Sequence, residues 1–126
     1  MFEAGDIVKA FSAQASKIKF HLCVCAAQDD KASVFLFLNS EHGFAGDITL
    51  LDGDIPGLPV SPTGNNVVSF SMLVRIGDRQ LRLFLAEKTG ELPTEIAERL
   101  IAHAERVPTL NRKDRQIVLD GLRSLI

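Results

Sequence analysis

Hydrophobic and polar positions alternate most strictly along residues 67–76. Val68, Phe70, Met72, Val74 and Ile76 are separated there by Ser69, Ser71, Leu73 and Arg75. Strict alternation indicates a strand with one buried face. Gly77-Asp78 follows and suits a type II′ turn, because Gly accepts a positive φ. The pattern therefore predicts a β-hairpin whose returning strand covers residues 79–85.

Shorter apolar segments predict four earlier strands, at residues 5–11, 17–26, 33–38 and 47–51. Segment 17–26 alternates, with one face formed by Ile18, Phe20, Leu22 and Val24 and the other by Lys17, Lys19, His21, Cys23 and Cys25. Segment 33–38 is apolar on both faces, which is typical of a central strand. Residues 52–66 hold three of the five prolines and predict a long loop.

Two helices are predicted at the C-terminal end. In residues 92–107, Ile96, Leu100 and Ala104 recur at helical spacing after Pro93. A last helix follows Asn111, a residue type that caps helix N-termini. We therefore expect a β-rich α+β fold in a single domain, 1–126, with its β-barrel in residues 1–88 and its helical part in 89–126.

Composition narrows the class of protein. The 126 residues are 46% hydrophobic and carry a formal charge of −2, so strong nonspecific nucleic-acid binding would need a local basic patch. No apolar run approaches the ~20 residues that cross a bilayer. The N-terminal segment has no basic region before a long apolar core, which argues against a secretory signal. We expect a cytoplasmic protein without membrane association.

Cys23 and Cys25 are the only cysteines. At i and i+2 in a strand they would point to the same face, where neighbours seldom form a disulfide. Two sulfurs without a second Cys/His pair make a poor zinc site. We expect both cysteines to be reduced and structural, with no metal and no cofactor.

Polar residues on the predicted strands could converge. Lys19 and His21 share one side of strand 17–26, while Asn39 and Ser40 end the next strand. Ser69, Ser71 and Arg75 share the polar side of strand 67–76. Such groups could stabilise a phosphorane-like transition state, transfer a proton and orient a phosphate. Alternatively, they are the polar face of a half-solvated sheet.

A family resemblance rests on short motifs along most of the chain. Gly5-Asp6-Ile7-Val8 resembles the opening G-D-[IV]-[VW] of the PemK/MazF/Kid group of bacterial toxins. Strand 17–26, Asn39-Ser40 and residues 67–71 lie where that group has its next conserved strands, and Gly90-Glu91-Leu92 is similar to its G-x-[LI] before the last helix. The resemblance implies a small SH3-like β-barrel of about five to seven strands, followed here by two helices.

The resemblance also implies a function. Members of the group are mostly homodimeric endoribonucleases that an antitoxin neutralises, and they cleave single-stranded RNA through attack by the ribose 2′-OH. Together with the polar strand faces described above, it leads us to expect the catalytic residues Lys19, His21, Ser40 and Ser71 and the RNA-binding residues Asn39, Ser69, Arg75 and Arg79. Lys19 stands near the family's Arg, Phe20 replaces its Pro, and Asn39-Ser40 replace its Thr pair.

These departures keep other functions open. A protein of the same fold without catalysis could inhibit a protein target, as a gyrase poison does, or could be a toxin relic or an interaction module. A third interpretation is a small ligand-binding barrel that uses loop 52–66 as a lid. The sequence does not decide whether the chain is an enzyme.

Overall fold

The computed structural model describes residues 2–13, 15–28, 31–39, 43 and 45–126. Its elements are β1 (Asp6–Ser12), β2 (Lys17–Cys25), β3 (Ser33–Asn39), β4 (Ile48–Leu51), β5 (Asn65–Val68), β6 (Val74–Ile76), α1 (Asp78–Leu83), β7 (Glu87–Glu91), α2 (Thr94–Arg106) and α3 (Arg112–Arg123). All strand pairs are antiparallel. The expected β-rich fold with C-terminal helices is confirmed as a curled sheet, a half-barrel, followed by α2 and α3.

The sheet has the strand order β4-β5-β3-β2-β1-β7. Strand β6 lies off this path and pairs with residues 33–35 of β3, whereas β5 pairs with residues 38–39. The loop after β4, in which Ile55 is fully buried, reaches β7 at the other edge of the sheet. A Cβ atom at Gly57 would lie 2.4 Å from the Thr89 carbonyl oxygen, so this loop lies directly on the backbone of β7. Backbone packing of the loop therefore bridges the two edges of the curled sheet.

The main core lies between one face of the sheet and the two long helices. Alternate β2 and β3 side chains such as Leu22 and Leu36 meet Leu100 of α2 and Leu122 of α3 there. The predicted stripe of Ile96, Leu100 and Ala104 is buried as expected. Asn111 is confirmed as the N-cap of α3, because its side chain accepts a hydrogen bond from the Asp114 backbone N–H at 2.8 Å.

A second, smaller core covers the other face of the sheet. Its buried members are Phe2, Val8, Cys23, Phe35, Val74, Ile76 and Leu81. Alternation in β2 predicted a polar face here, but Cys23 and His21 are both buried. The prediction was wrong because Phe2 and Leu81 of α1 pack against this face, and single-strand periodicity does not report what lies above a sheet.

The predicted strand over 67–76 is interrupted. Val68 pairs with Leu38, and Val74 pairs with Phe35. The five residues 69–73 therefore stand opposite only two residues of β3, Leu36 and Phe37. Because they cannot all pair with β3, this segment bulges out of the sheet. The break reverses the expected burial, since Met72 is 49% exposed and Leu73 is buried.

The predicted hairpin at Gly77-Asp78 was also wrong. Gly77 has a φ of −74°, whereas a type II′ turn requires a positive φ at this position. The chain enters α1 instead, and Leu81 turns into the second core. The next strand, β7, pairs with β1 and not with β6. It begins after residue 86 and extends across the expected boundary between barrel and helices at residue 88.

A bulge separates the two cysteines. Cys23 pairs with Phe35 and Cys25 pairs with Val34, so the register shifts between them. Cys23 enters the second core, while Cys25 packs against the main core. They therefore face opposite sides of the sheet, contrary to the expectation, and both are free thiols as expected. Burial raises the pKa of the Cys23 thiol to about 12, which keeps it protonated.

Candidate functional site: a polar groove at the end of strands β2 and β3

The break in the 67–76 strand forms one wall of a groove. The ends of β2 and β3 form the opposite wall, because Lys19 and Asn39 lie side by side on the face that carries the second core. The groove has a volume of about 360 Å³ and is lined by Ala15, Lys19, Phe37, Asn39, Ser69, Ser71 and Met72. Four of the residues predicted from the sequence, Lys19, Asn39, Ser69 and Ser71, therefore meet at this groove.

Hydrogen-bond donors dominate its polar lining. The Lys19 ammonium donates to Asn39 Oδ1, which leaves two of its three N–H groups for a ligand. The Ser69 and Ser71 hydroxyl oxygens lie 3.0 Å apart, so one hydroxyl donates to the other and one O–H remains. The Asn39 amide nitrogen adds further donors. Phe37 and Met72 supply the apolar part of the lining.

The electrostatic setting of the groove is positive. None of its described lining residues is Asp or Glu. Partial burial, followed by the charge of nearby Lys17, lowers the pKa of Lys19. The hydrogen-bond partner of Lys19 is a neutral amide, so its charge is available to an anion. Such a donor-rich site without carboxylates suits phosphate oxygens.

His21 lies next along this face but is removed from the groove. Its ring is 1% exposed and packs against Phe35 and Phe37, with ring centroids 5.8 and 5.2 Å apart. Its Nδ1 lies 3.3 Å from the Val8 carbonyl oxygen. Burial, and secondarily the charge of Lys19, lowers the pKa of His21, so the ring is neutral near pH 7.

The other predicted residues are dispersed. Arg75 lines an adjacent pocket together with His21, and its guanidinium donates to Asp114 at 3.0 Å. Arg79 lies exposed on α1 and borders neither this pocket nor the groove. Ser40, a predicted catalytic residue, lies outside the described residues. Phe37 and Met72 were not predicted as groove residues, since their spacing is typical of ordinary core positions.

No protein-family model and no curated protein matches this sequence. Among the residues that the structure describes, no group of three or more His, Cys, Asp or Glu side chains could hold a metal ion. Within the same described part of the chain, no helix is both long and apolar enough to span a bilayer.

Proposed function

We propose that this chain is a toxin-like protein of SH3-like barrel fold whose groove binds the phosphate backbone of single-stranded RNA. The observation that carries the proposal is the donor-rich groove, in which Lys19 stands beside Asn39, Ser69 and Ser71 and no described lining residue is a carboxylate. Lys and hydroxyl donors are the usual partners of nucleic-acid phosphates. Phe37 and Met72 offer apolar surface on which an unpaired base can rest.

Single-stranded RNA suits this groove better than a duplex. The groove is short and has one apolar flank, and bases that are free of pairing can reach that flank while their phosphates stay near Lys19. The formal charge of −2 for the whole chain limits the binding to this local site. We therefore expect modest affinity that depends on salt.

Binding without cleavage is the form of the proposal that the geometry favours. Attack by a 2′-OH needs a base within hydrogen-bond reach, roughly 2.6–3.2 Å. His21 is the sequence's candidate base, yet it is 1% exposed and its Nδ1 is used by Val8. The noncatalytic alternative drawn from the sequence therefore takes precedence, and an antitoxin and a homodimer belong to the toxin-like proposal as expected partners.

The decisive experiment is a binding titration with a labelled single-stranded RNA at several salt concentrations. Lys19→Gln should weaken binding about five- to tenfold at low salt and reduce the salt slope by about 0.7, the amount expected for one lost phosphate contact. Lys31→Gln is the matched control, because Lys31 is exposed and lies beyond the opposite end of β2. RNA affinity that is equal in the two variants would refute the proposal.

Controlled expression in bacteria tests the cellular part of the proposal. Growth and bulk RNA integrity are followed together for the wild type and for Lys19→Gln. Growth arrest with intact RNA that Lys19→Gln relieves is the expected result. RNA fragmentation that depends on Lys19 would instead assign the chain to the endoribonucleases, and arrest that persists in Lys19→Gln would point to a protein target such as gyrase.

A further inference from the structure

The C-terminal end of α1 is closed by a Schellman motif, a backbone arrangement in which many helices end. The Ala86 N–H donates to the Leu81 carbonyl at 2.9 Å, and the Leu85 N–H donates to the Arg82 carbonyl at 3.1 Å. Leu81 is buried in the second core and Ala86 packs against that core, the apolar contact that usually accompanies this motif. The motif requires one residue in the left-handed conformation, and here that residue is Leu85, with a φ of +55°.

Leucine is a costly residue at this position. Glycine normally occupies it, because a Cβ atom is crowded in the left-handed conformation. The Leu85 side chain is 84% exposed, so its packing against the described part of the chain offsets little of this cost. A strained residue that its own fold does not compensate is a candidate for a functional contact.

Leu85 belongs to an exposed apolar surface, the α1 patch, which consists of Phe11, Leu83, Phe84 and Leu85. Leu83 is 75% exposed and Phe11 is 40% exposed. The Phe11 N–H donates to the Phe84 carbonyl at 3.2 Å, and the two rings lie edge to face with centroids 5.8 Å apart. The end of β1 therefore continues the apolar surface at the end of α1. Single exposed apolar residues are ordinary, whereas a contiguous group marks an interaction site.

The charges next to the patch indicate what covers it. Four charged residues are exposed on α1 and at the start of β7: Asp78, Arg79, Arg82 and Glu87. None of them forms an ion pair with another described residue. Two positive and two negative charges favour neither an acidic nor a basic partner. A twofold dimer needs a surface that is complementary to itself, and apolar residues beside both signs of charge meet that need.

We propose that the α1 patch is a twofold interface through which two copies of this chain associate. Leu83 and Leu85 form its apolar centre, and the arginines of one copy face the carboxylates of the other. Because the patch is small, the dimer should be weak, with a dissociation constant of about 10–100 µM. The patch shares no residue with the lining of the Lys19 groove, so the interface does not rest on RNA binding.

Leu85→Gly separates a role in association from a role in folding. Glycine relieves the left-handed strain, so at about 1 µM, where the protein is monomeric, the variant should unfold at a higher denaturant concentration than the wild type. It also removes the exposed side chain, so the dimer should weaken at least about tenfold. Sedimentation equilibrium over about 1–500 µM measures the dissociation constant of each protein.

Val60→Ser is the matched control, because it removes another exposed apolar side chain, in the loop after β4. It should change the dissociation constant by less than about twofold, whereas Leu83→Ser should weaken the dimer as Leu85→Gly does. A wild-type protein that stays monomeric throughout this range would overturn the proposal, as would equal dimerisation of Leu85→Gly and Val60→Ser. RNA affinity that is unchanged in Lys19→Gln would overturn the groove assignment alone, so the two proposals fail separately.

Discussion

Gly121 of α3 lies directly against the backbone carbonyl of Val24 in β2. A Cβ atom at position 121 would stand 1.7 Å from that carbonyl oxygen, closer than any side chain can approach. The absence of a side chain therefore sets how near α3 comes to the sheet. Val118 and Leu122, on either side of Gly121, reach the main core from this position.

Gly121→Ala tests this close approach. Alanine improves helix propensity by about 1 kcal/mol, but the clash forces α3 away from β2. We expect a net loss of about 2–3 kcal/mol in the free energy of unfolding, the upper range for overpacked sites. Denaturant unfolding measures it, with exposed Lys113→Ala on the same helix as the control. Equal stability of the two variants would contradict the contact.

Gly57→Ala tests the packing of the loop on β7. Gly57 has a φ of +90° and faces the Thr89 carbonyl, whereas Gly53 has a φ of +91° and open space. Both variants strain the backbone by about 1–2 kcal/mol, and only Gly57→Ala adds a clash. We expect Gly57→Ala to be about 2 kcal/mol less stable than Gly53→Ala in denaturant unfolding. An equal loss would mean that the loop does not depend on this contact.

Arg115→Lys tests a guanidinium that joins two helices. Arg115 donates to the Ala104 carbonyl at 2.6 Å and to the Leu110 carbonyl at 3.0 Å. A lysine keeps the charge but lacks the planar fork that reaches both oxygens. We expect thermal unfolding to reveal a loss of about 1–3 kcal/mol. Arg112→Lys, at the exposed start of α3, should change stability by less than about 0.5 kcal/mol.

His21 should make stability depend on pH. Burial lowers its folded-state pKa below the ordinary value near 6.5, so below that pH the unfolded chain binds the extra proton. The contribution of His21 to the free energy of unfolding is therefore fully favourable above about pH 7. It is lost as the pH falls through about 6.5 towards the folded-state pKa, with a slope of up to about 1.4 kcal/mol per pH unit. Lys19, on the same strand face, and Arg75, which lines the same pocket, add positive charge nearby.

His21→Phe should flatten this pH dependence, because it removes the titrating ring. Urea unfolding at a series of pH values measures the slope for the wild type and the variant. Parallel curves for the two proteins would show that His21 is not the group responsible.

Ser71→Asp tests the charge of the groove. A carboxylate at this position would compensate Lys19 and repel a phosphate. We expect RNA affinity to fall at least about tenfold, because like charges at a binding surface cost several kcal/mol. Ser124→Asp, at the exposed C-cap of α3, is the control. Unchanged affinity in Ser71→Asp would place the RNA elsewhere.

Most elements of the fold were accessible from the sequence because each carries its own periodic signal. The alternation of β2, the apolar run of β3, and the stripes and cap of the two long helices are local patterns. The break at 69–73 and the helix α1 have no such local signal. The break depends on how many residues of β3 stand opposite, and α1 depends on packing in the second core. The local pattern around Leu81 is compatible with a strand or a helix, and the helix is selected only by the packing of Leu81 in the second core.

The site was partly accessible for the same reason. Lys19 and Asn39 meet because β2 and β3 pair as neighbours, which the order of strands suggested. Ser69 and Ser71 reach the groove from a segment outside the sheet, so they line it together with Lys19 although the strand predicted to carry them is interrupted there. His21 was predicted to share the site with Lys19 because alternation places both on one side of the strand. Alternation does not indicate whether that side is covered, and His21 is buried there.

The two cores share a single sheet but differ greatly in extent, and this should divide the protein's local stability. The smaller one is closed by a six-residue helix, a three-residue strand and the N-terminal segment. Such a unit opens at lower free energy than the rest of a domain, in partial unfolding events that expose amide hydrogens to exchange. Amides of α1 and β6 should exchange before those of α2 and α3.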